Sequence, residues 1–241
     1  MEHSGVIVYP LLVLEAATAE GSVALFVSQD RAYSRSVTMG ASRQDMMMPA
    51  IDELCRDAGI TVGDIRSVVC GAGPGSFTSL RIAGSIAKGI VHANRLMHGS
   101  DVQLFAVSSL LLAAASIETP GDYIVHSDAM RGERYVQRVR VGRGGDVEAI
   151  GAIHRASVAS LVEASNASGT DTVQRVAVTA ASADLSDDRI IIPRAELLFR
   201  VSGWGEQAVD LVSWEPAYGR LAEAQVKWEA AHGTPLPVAS T

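Results

Sequence analysis

Residues 70–89 read CGAGPGSFTSLRIAGSIAKG. An apolar run that ends at residue 70 predicts a strand, the glycines that follow predict a turn, and the residues after the turn predict a helix. The three glycines of the turn permit backbone conformations that a side chain would forbid. Ser76 is a typical N-cap for the following helix, so the first amides of that helix would point back toward the turn. This order of elements is typical of nucleotide-binding α/β folds.

Two familiar phosphate loops do not fit this turn. A Walker A loop closes with a Lys-Ser or Lys-Thr pair, whereas Lys88 lies a full helix beyond Gly75. In a dinucleotide fingerprint the last glycine would fall at Ser76, and no acidic residue ends a strand about twenty residues further on. Two interpretations therefore stay open. Gly73, Gly75 and Ser76 are candidate cofactor-binding residues, or the turn is a tight strand-to-helix connection packed against a neighbour.

Composition limits the class of protein. The 241 residues, 48% of them hydrophobic, can bury one large core or two modest ones, and we expect two domains. The net charge of −7 argues against strong autonomous binding to nucleic acid, because that affinity rests largely on neutralised phosphates. Two cysteines supply neither a disulfide framework nor a zinc cluster, and the six histidines share no ligand spacing. We expect no tightly held transition metal.

The N-terminus carries an apolar run, residues 6–14, that resembles the core of a signal peptide. A signal peptide begins with basic residues, but Glu2 precedes the run and Arg31 is the first Lys or Arg of the chain. No apolar stretch approaches the length of a membrane span. We therefore expect a cytoplasmic protein with no membrane partner.

Turn signals divide the first part of the chain into short strands followed by two helices. Strands are expected at 11–15, 22–28 and 32–39, because runs of apolar and β-branched residues there are bounded by Gly, Asp and Thr. Helical spacing then predicts helices over 42–58, with Ser42 as cap, and over 78–94.

The second helix has two faces of different composition, one of large apolar residues and one of small residues. On the second helix Ile82, Ile86 and Ile90 form the expected core face. We expect the two helices to form a partner surface, because small and flexible apolar side chains permit close approach and repacking. The predicted interface residues are Met47, Met48, Ile51, Ser85, Gly89 and Ala93.

The second part of the chain is expected to be a smaller α/β unit. Strands are predicted at 123–125 and 135–141, with helices near 157–164 and 193–201, and a closing helix over 221–231. These elements divide the chain into a first lobe, 1–117, a second lobe, 118–204, and a C-terminal segment, 205–241, that returns to the first lobe.

Five arginines crowd into thirteen positions of the second lobe. They could contact phosphate, but a solvated strand face is the favoured interpretation, since charged edges also protect sheets from pairing wrongly. They are Arg131, Arg134, Arg138, Arg140 and Arg143.

The stretch GPGSFTSLRI at 73–82, followed by AKG at 87–89, resembles the signature GPGSFTGLRI…AKG of the TsaB family. Upstream, LLVLEAATAEGSVALFV at 11–27 is similar to the opening hairpin of that family. Downstream, DAMRGERY at 128–135 and WEPAY at 214–218 are similar to its DAR-x-GE-x-Y and EP-x-Y segments. The resemblance covers nearly the whole chain.

The chain departs from the family pattern at defined positions. Glu15 and Ala17 stand where the family has Asp and Ser, and Ser79 stands where a glycine is usual. The related catalytic protein TsaD carries a metal-binding His-x-x-x-His, and the alignment places Ser109 and Ala113 there. Neither residue replaces imidazole as a ligand for a borderline metal.

The resemblance implies an actin-like, Hsp70-like (ASKHA) two-lobe α/β fold with mixed sheets flanked by helices. It implies a non-catalytic scaffold for a TsaD-like partner, which acts with a TsaE-like ATPase in threonylcarbamoylation of the tRNA adenosine beside the anticodon. Transfer RNA would be contacted through the complex only. We expect no tightly bound cofactor on this chain, and the complex interface is the candidate place for ATP or ADP. The alternative is an active enzyme of the same fold, an ATP-dependent phosphotransferase or a metal-dependent group transferase. A third possibility is a homodimer of this chain with a separate binding role, and a homodimer is also a candidate state of the chain when it is alone.

Overall fold

The computed structural model describes residues 7–39, 46–99, 102–166, 173–178 and 188–217. Within these residues the chain forms two mixed β-sheets flanked by helices, which confirms the predicted fold class.

The first sheet contains five strands. They are β1 (Leu11–Glu15), β2 (Glu20–Ser28), β3 (Arg31–Thr38), β4 (Ser67–Gly71) and β5 (Gln103–Val107). Their order in the sheet is β3-β2-β1-β4-β5. The pairs β1–β2 and β2–β3 are antiparallel, whereas β1–β4 and β4–β5 are parallel.

Before residue 117, the described residues also form three helices, α1 (Met47–Ala58), α2 (Phe77–His98) and α3 (Ser109–Ala114), with a short 3-10 helix at Val62–Asp64. As expected, the Ser76 side chain caps α2 by accepting a hydrogen bond from the Ser79 N–H. The predicted cap Ser42 lies outside the described residues.

The second sheet contains six strands. They are β6 (Gly121–Asp128), β7 (Glu133–Val141), β8 (Val147–Ala149), β9 (His154–Ser157), β10 (Gln174–Ala177) and β11 (Arg189–Ile190). The helix α4 (Val158–Asn166) confirms the helix expected near 157–164. The helix expected at 193–201 is a 3-10 helix, Ala195–Arg200. The closing helix predicted over 221–231 lies outside the described residues.

The two sheets repeat one strand plan. In each, the first strand (β1 or β6) pairs antiparallel with the second (β2 or β7), and the second pairs antiparallel with the next strand of the chain (β3 or β8). On its other edge the first strand pairs parallel with a later strand, which pairs parallel with one further strand. The chain therefore contains the same topology twice.

The core has three clusters that alternate with the sheets. The largest lies between the two sheets and includes Val13, Val125 and the apolar residues of α3. A second lies between the first sheet and helices α1 and α2, and includes Leu14. A small third cluster packs Leu161 of α4 against the outer face of the second sheet. Val13 and Leu14 belong to different clusters because successive side chains of a strand point to opposite faces of the sheet, so β1 contributes to the core on both of its faces.

The core face of α2 differs from the predicted face. Ile90 is buried as expected, but Ile82 and Ile86 are only partly buried. The buried positions include Ala83 and Ala87, whose small side chains let the helix lie close to the sheet. None of the described helices is long and apolar enough to cross a membrane.

Candidate functional site

The candidate site lies where three parallel strands of the first sheet end. Glu15 is the last residue of β1, Gly71 of β4 and Val107 of β5. Three connections start there: the β1–β2 turn, the glycine turn of residues 72–76 and the short link into α3. The carboxyl ends of parallel strands are the usual place for a ligand site in an α/β sheet.

A buried carboxyl group occupies the centre of this edge. Glu15 has no exposed surface, its Oε1 atom accepts a hydrogen bond from the Ala17 N–H at 2.6 Å, and the Ser109 hydroxyl lies 3.1 and 2.9 Å from its two oxygens. Burial raises the pKa of the Glu15 carboxyl to about 7, although these hydrogen bonds oppose the rise. The group therefore changes its charge near neutral pH.

Each glycine of the turn allows a close contact. A Cβ atom at Gly71 would overlap Glu15 Oε2 and would lie 2.8 Å from Glu15 Cδ. A Cβ atom at Gly75 would lie 2.6 Å from Ala17 Cα, and Gly73 has a φ of +84°, which favours glycine. These contacts support the interpretation of the turn as a tight connection packed against its neighbours.

Several backbone amides of the turn already donate to protein acceptors. The Ala72 N–H donates to Val107 O at 2.7 Å, and the Ser76 N–H donates to Ala17 O at 2.8 Å. The Gly73 N–H donates to the Ser109 hydroxyl at 3.1 Å. Two of the three candidate cofactor-binding residues, Gly73 and Ser76, thus have their amides satisfied inside the chain, which leaves fewer donors for a phosphate.

The positions compared with the metal-binding histidines of TsaD lie on α3. Ser109 and Ala113 are both fully buried, and Ser109 contacts Glu15. Glu15, a departure from the family pattern, is therefore in direct contact with Ser109, which stands where TsaD has a metal-binding histidine. Among the described residues, no group of three or more His, Cys, Asp or Glu side chains is arranged to hold a metal ion.

Residues 210–217, here called the strap, run along the N-terminal half of α2. Gly84 accommodates Pro216, since a Cβ atom there would lie 3.1 Å from Pro216 Cγ. Lys88 Nζ donates to Val212 O at 3.2 Å, and the Ala217 N–H donates to Ala72 O at 2.7 Å. The strap thus joins α2 to the glycine turn. Tyr218, the last residue of the WEPAY motif, lies outside the described residues.

The structure separates the six predicted interface residues into two groups. Met47 and Ile51 are fully buried in the first-lobe core, so their assignment to a partner surface is wrong. The reason is the phase of α1, whose apolar side packs on β2 and β3. Met48 is exposed, and so are the three small residues Ser85, Gly89 and Ala93.

Sequence reasoning missed two exposed apolar residues that extend this surface. Leu96 is 78% exposed and Met97 is 60% exposed, at the C-terminal end of α2. Positions three and four residues apart share a helix face, so the row of small residues continues into these two. We call this surface the α2 stripe, and its members are Ser85, Gly89, Ala93, Leu96 and Met97. The spacing of three and four residues from Ala93 to Leu96 and Met97 could have predicted from the sequence that these two residues belong to the same face.

A buried ionic cluster in the second lobe was also missed. His126 on β6 is fully buried and its Nε2 atom lies 2.7 Å from Asp188 Oδ2, while Arg175 Nη2 lies 3.1 Å from Asp188 Oδ1. Burial lowers the pKa of His126, although the bond to Asp188 opposes this. The three residues come from separate segments, so no sequence motif announces them.

The arginines of the second lobe do not form one surface. Arg134 is buried at 3% exposure, contrary to the expected solvated face. Arg140 is exposed and pairs with Asp122, with its Nε atom 2.8 Å from Asp122 Oδ1. Arg131 and Arg138 are exposed.

Comparisons with known proteins identify the protein family of this chain. The model of the family described as "TsaD: tRNA N6-adenosine threonylcarbamoyltransferase" matches residues 40–212, so the chain belongs to this family. Two solved structures from Pseudomonas aeruginosa share the fold: YeaZ, with 22% identity and a TM-score of 0.69 over 86% of this chain and 98% of that one, and a protein described as similar to YeaZ, with 21% identity and a TM-score of 0.71 over 87% and 99%. The expected actin-like fold is confirmed.

Curated relatives of this chain carry the name TsaB. The tRNA threonylcarbamoyladenosine biosynthesis protein TsaB of Haemophilus influenzae is 27% identical over 54% of this chain and 53% of its own length. The protein of the same name from Bacillus subtilis is 28% identical over 75% of this chain and 81% of its own length. The chain thus spans about half the length of the first of these relatives and most of the second. These relatives confirm the resemblance to the TsaB family that the signature predicts.

Proposed function

We propose that this chain is a non-catalytic scaffold subunit in the biosynthesis of threonylcarbamoyladenosine in tRNA, and that it binds a TsaD-like partner. Relatives named for this pathway support the process. The observation that carries the scaffold role is the exposed α2 stripe.

The α2 stripe has the properties of a helix-packing surface. Small side chains at Gly89 and Ala93 let a second helix approach closely, and Leu96 and Met97 offer large apolar groups beside them. Exposed apolar side chains that adjoin one another are typical of protein interaction sites. Met48 of α1 is the further candidate from the neighbouring helix.

The site at the ends of β1 and β4 supports a non-catalytic role. Glu15 is wholly buried and hydrogen-bonded within the chain, so it is not placed to direct a metal or a phosphate in solvent. This favours the scaffold over the alternative of an active phosphotransferase or metal-dependent transferase. Binding of this chain would act by favouring the competent conformation of the partner.

The remaining partners belong to the same proposal. The net charge of −7 supports contact with tRNA through the complex, with a TsaE-like ATPase as the third protein. Any ATP or ADP would lie at the interface of the complex. We place the complex in the cytoplasm, and the homodimer is the state of the chain without its partner.

A partner-binding experiment tests the proposal. The chain is mixed with a TsaD-like protein from the same cell, and the complex is measured by size-exclusion chromatography with light scattering. Gly89→Leu should weaken the heterodimer by about 100-fold or more, because a leucine side chain would project from the centre of the packing surface. The space around Gly89 is open, so the monomer should remain folded.

A matched control uses the same side chain on another surface. Ala149→Leu adds a leucine at an exposed position of β8 and should leave the affinity unchanged. Normal binding by Gly89→Leu would show that the α2 stripe is not the interface. Threonylcarbamoyl transfer to tRNA by this chain alone would contradict the non-catalytic role.

A further inference from the structure

The buried carboxyl of Glu15 is not used by the proposed scaffold function. It ends β1 at the edge of the sheet where an α/β protein would hold a ligand, yet its side chain has no exposed surface. A buried charge needs partners, because leaving water is costly for a carboxylate. The arrangement of those partners indicates what the side chain does.

Three separate segments supply the groups around the Glu15 carboxyl. The β1–β2 turn contributes the Ala17 N–H, 2.6 Å from Oε1, and α3 contributes the Ser109 hydroxyl, 2.9 Å from Oε2. The glycine turn holds the hydroxyl in place, since the Gly73 N–H donates to Ser109 Oγ at 3.1 Å. These donors form a cradle that belongs to no single element, and both carboxyl oxygens lie in it.

The shape of the cradle fits a flat, three-atom group. Gly71 has no side chain, and a Cβ atom there would overlap Glu15 Oε2. Gly75 lies so close to Ala17 that a Cβ atom would lie 2.6 Å from Ala17 Cα. A tetrahedral phosphate needs more room than a planar carboxylate, so the space favours the carboxylate.

We propose that the Glu15 side chain is an internal ligand, which fills a carboxylate cradle at the carboxyl ends of β1, β4 and β5 and closes it to external anions. In the intact chain, a phosphate of a nucleotide has no access to this edge. Removal of the Glu15 carboxyl leaves the donors in place, and the cradle then takes a small free carboxylate.

Formate rescue tests this directly. Thermal unfolding is measured for the wild type, Glu15→Ala, Val13→Ala and the double variant Glu15→Ala/Ser109→Ala, in formate and in chloride of equal ionic strength. Formate should raise the Tm of Glu15→Ala by about 3 °C relative to chloride, since a ligand that binds only the folded state stabilises it. The wild type should not respond, because its cradle is filled.

The two remaining proteins are controls for the site. Val13→Ala opens an apolar cavity on the same buried strand, and formate should leave its Tm unchanged. Loss of the Ser109 hydroxyl in the double variant should abolish the rescue. Absence of a formate effect in Glu15→Ala, or an equal effect in Val13→Ala, overturns the proposal. An increase in the Tm of the wild type with inorganic phosphate that disappears in Ser109→Ala would also overturn it.

A second measurement applies if Glu15→Ala does not fold. Gly71→Ala is introduced into the wild type and into Glu15→Asp, whose carboxylate is one methylene shorter. The added methyl should lower the Tm of the wild type at least twice as much as that of Glu15→Asp, because only the longer side chain reaches Gly71. Equal losses in the two backgrounds would refute the close fit. None of these measurements involves the TsaD-like partner, so they are independent of the scaffold proposal.

Discussion

Replacement of Glu15 by Gln should remove a pH dependence from the stability of the protein. In the folded chain, burial raises the pKa of this carboxyl from 4.5 to about 7. The folded state therefore keeps a proton that the unfolded state releases above about pH 4.5. The stabilising contribution is complete below that pH and is lost as the pH rises through 7.

The shift sets the size of the effect. One pKa unit corresponds to about 1.4 kcal/mol, so a rise of roughly 2.5 units gives about 3 kcal/mol in total. Most of this, about 2.5 kcal/mol, falls between pH 5 and pH 8. Glu15→Gln keeps the shape of the protonated side chain but does not titrate, so it should lack this decline.

The assay is urea unfolding of both proteins at several pH values from 5 to 8, followed by tryptophan fluorescence. The difference between their free energies of unfolding removes the contribution of other groups. Cys70, whose thiol pKa is raised by burial and then by the Glu15 charge, is a neutral thiol in the folded state between pH 5 and pH 8, so it does not add to this difference. A difference that stays constant over this pH range would refute the reasoning.

A further variant checks the cause of the shift. The Ser109 hydroxyl lowers the pKa of Glu15, in opposition to burial. Ser109→Ala should therefore raise the folded-state pKa of Glu15 further, so that the decline in stability ends at a higher pH. Movement to lower pH would mean that the hydroxyl stabilises the neutral acid instead.

Two other pairs of substitutions test packing and charge through the free energy of unfolding in urea. Gly75→Ala should destabilise the protein by about 2 kcal/mol, because its methyl would overlap Ala17, whereas Gly89→Ala should stabilise it by about 0.5–1 kcal/mol, because the added methyl meets open space on a helix. A gain at both positions would contradict the tight turn. Asp188→Asn should cost about 3 kcal/mol, since it breaks a buried pair with His126 and Arg175. Asp122→Asn, in the exposed pair with Arg140, should cost less than about 1 kcal/mol, and equal losses would show that burial does not strengthen the Asp188 cluster.

The local parts of the fold could be predicted from the sequence. The strand at 11–15 and the Ser76 cap depend on neighbouring residues, and both appear as expected. The actin-like fold was predicted from the resemblance of residues 73–89 to the TsaB signature, since the glycine turn by itself left two interpretations open.

The remaining features depend on contacts between distant segments. The exposure of Met47 and Ile51 was predicted wrongly because an apolar helix stripe can face a core or a partner, and only the sheet decides between them. The contact of Glu15 with Ser109 joins positions 94 residues apart. Glu15 could be noted as a departure from the family and Ser109 as a difference from TsaD, but their contact required the fold.

The repeated strand plan also repeats an acidic turn. β1 and β6, the first strands of the two sheets, end in Glu15 and Asp128, and each carboxylate accepts a hydrogen bond from the backbone N–H two residues later, from Ala17 at 2.6 Å and from Met130 at 2.8 Å. Glu15 is buried, whereas Asp128 is exposed. The two halves therefore share a backbone arrangement, but the two carboxylates differ in their exposure to water. The acidic turn of the second half is open to water, while its counterpart in the first half belongs to the interior.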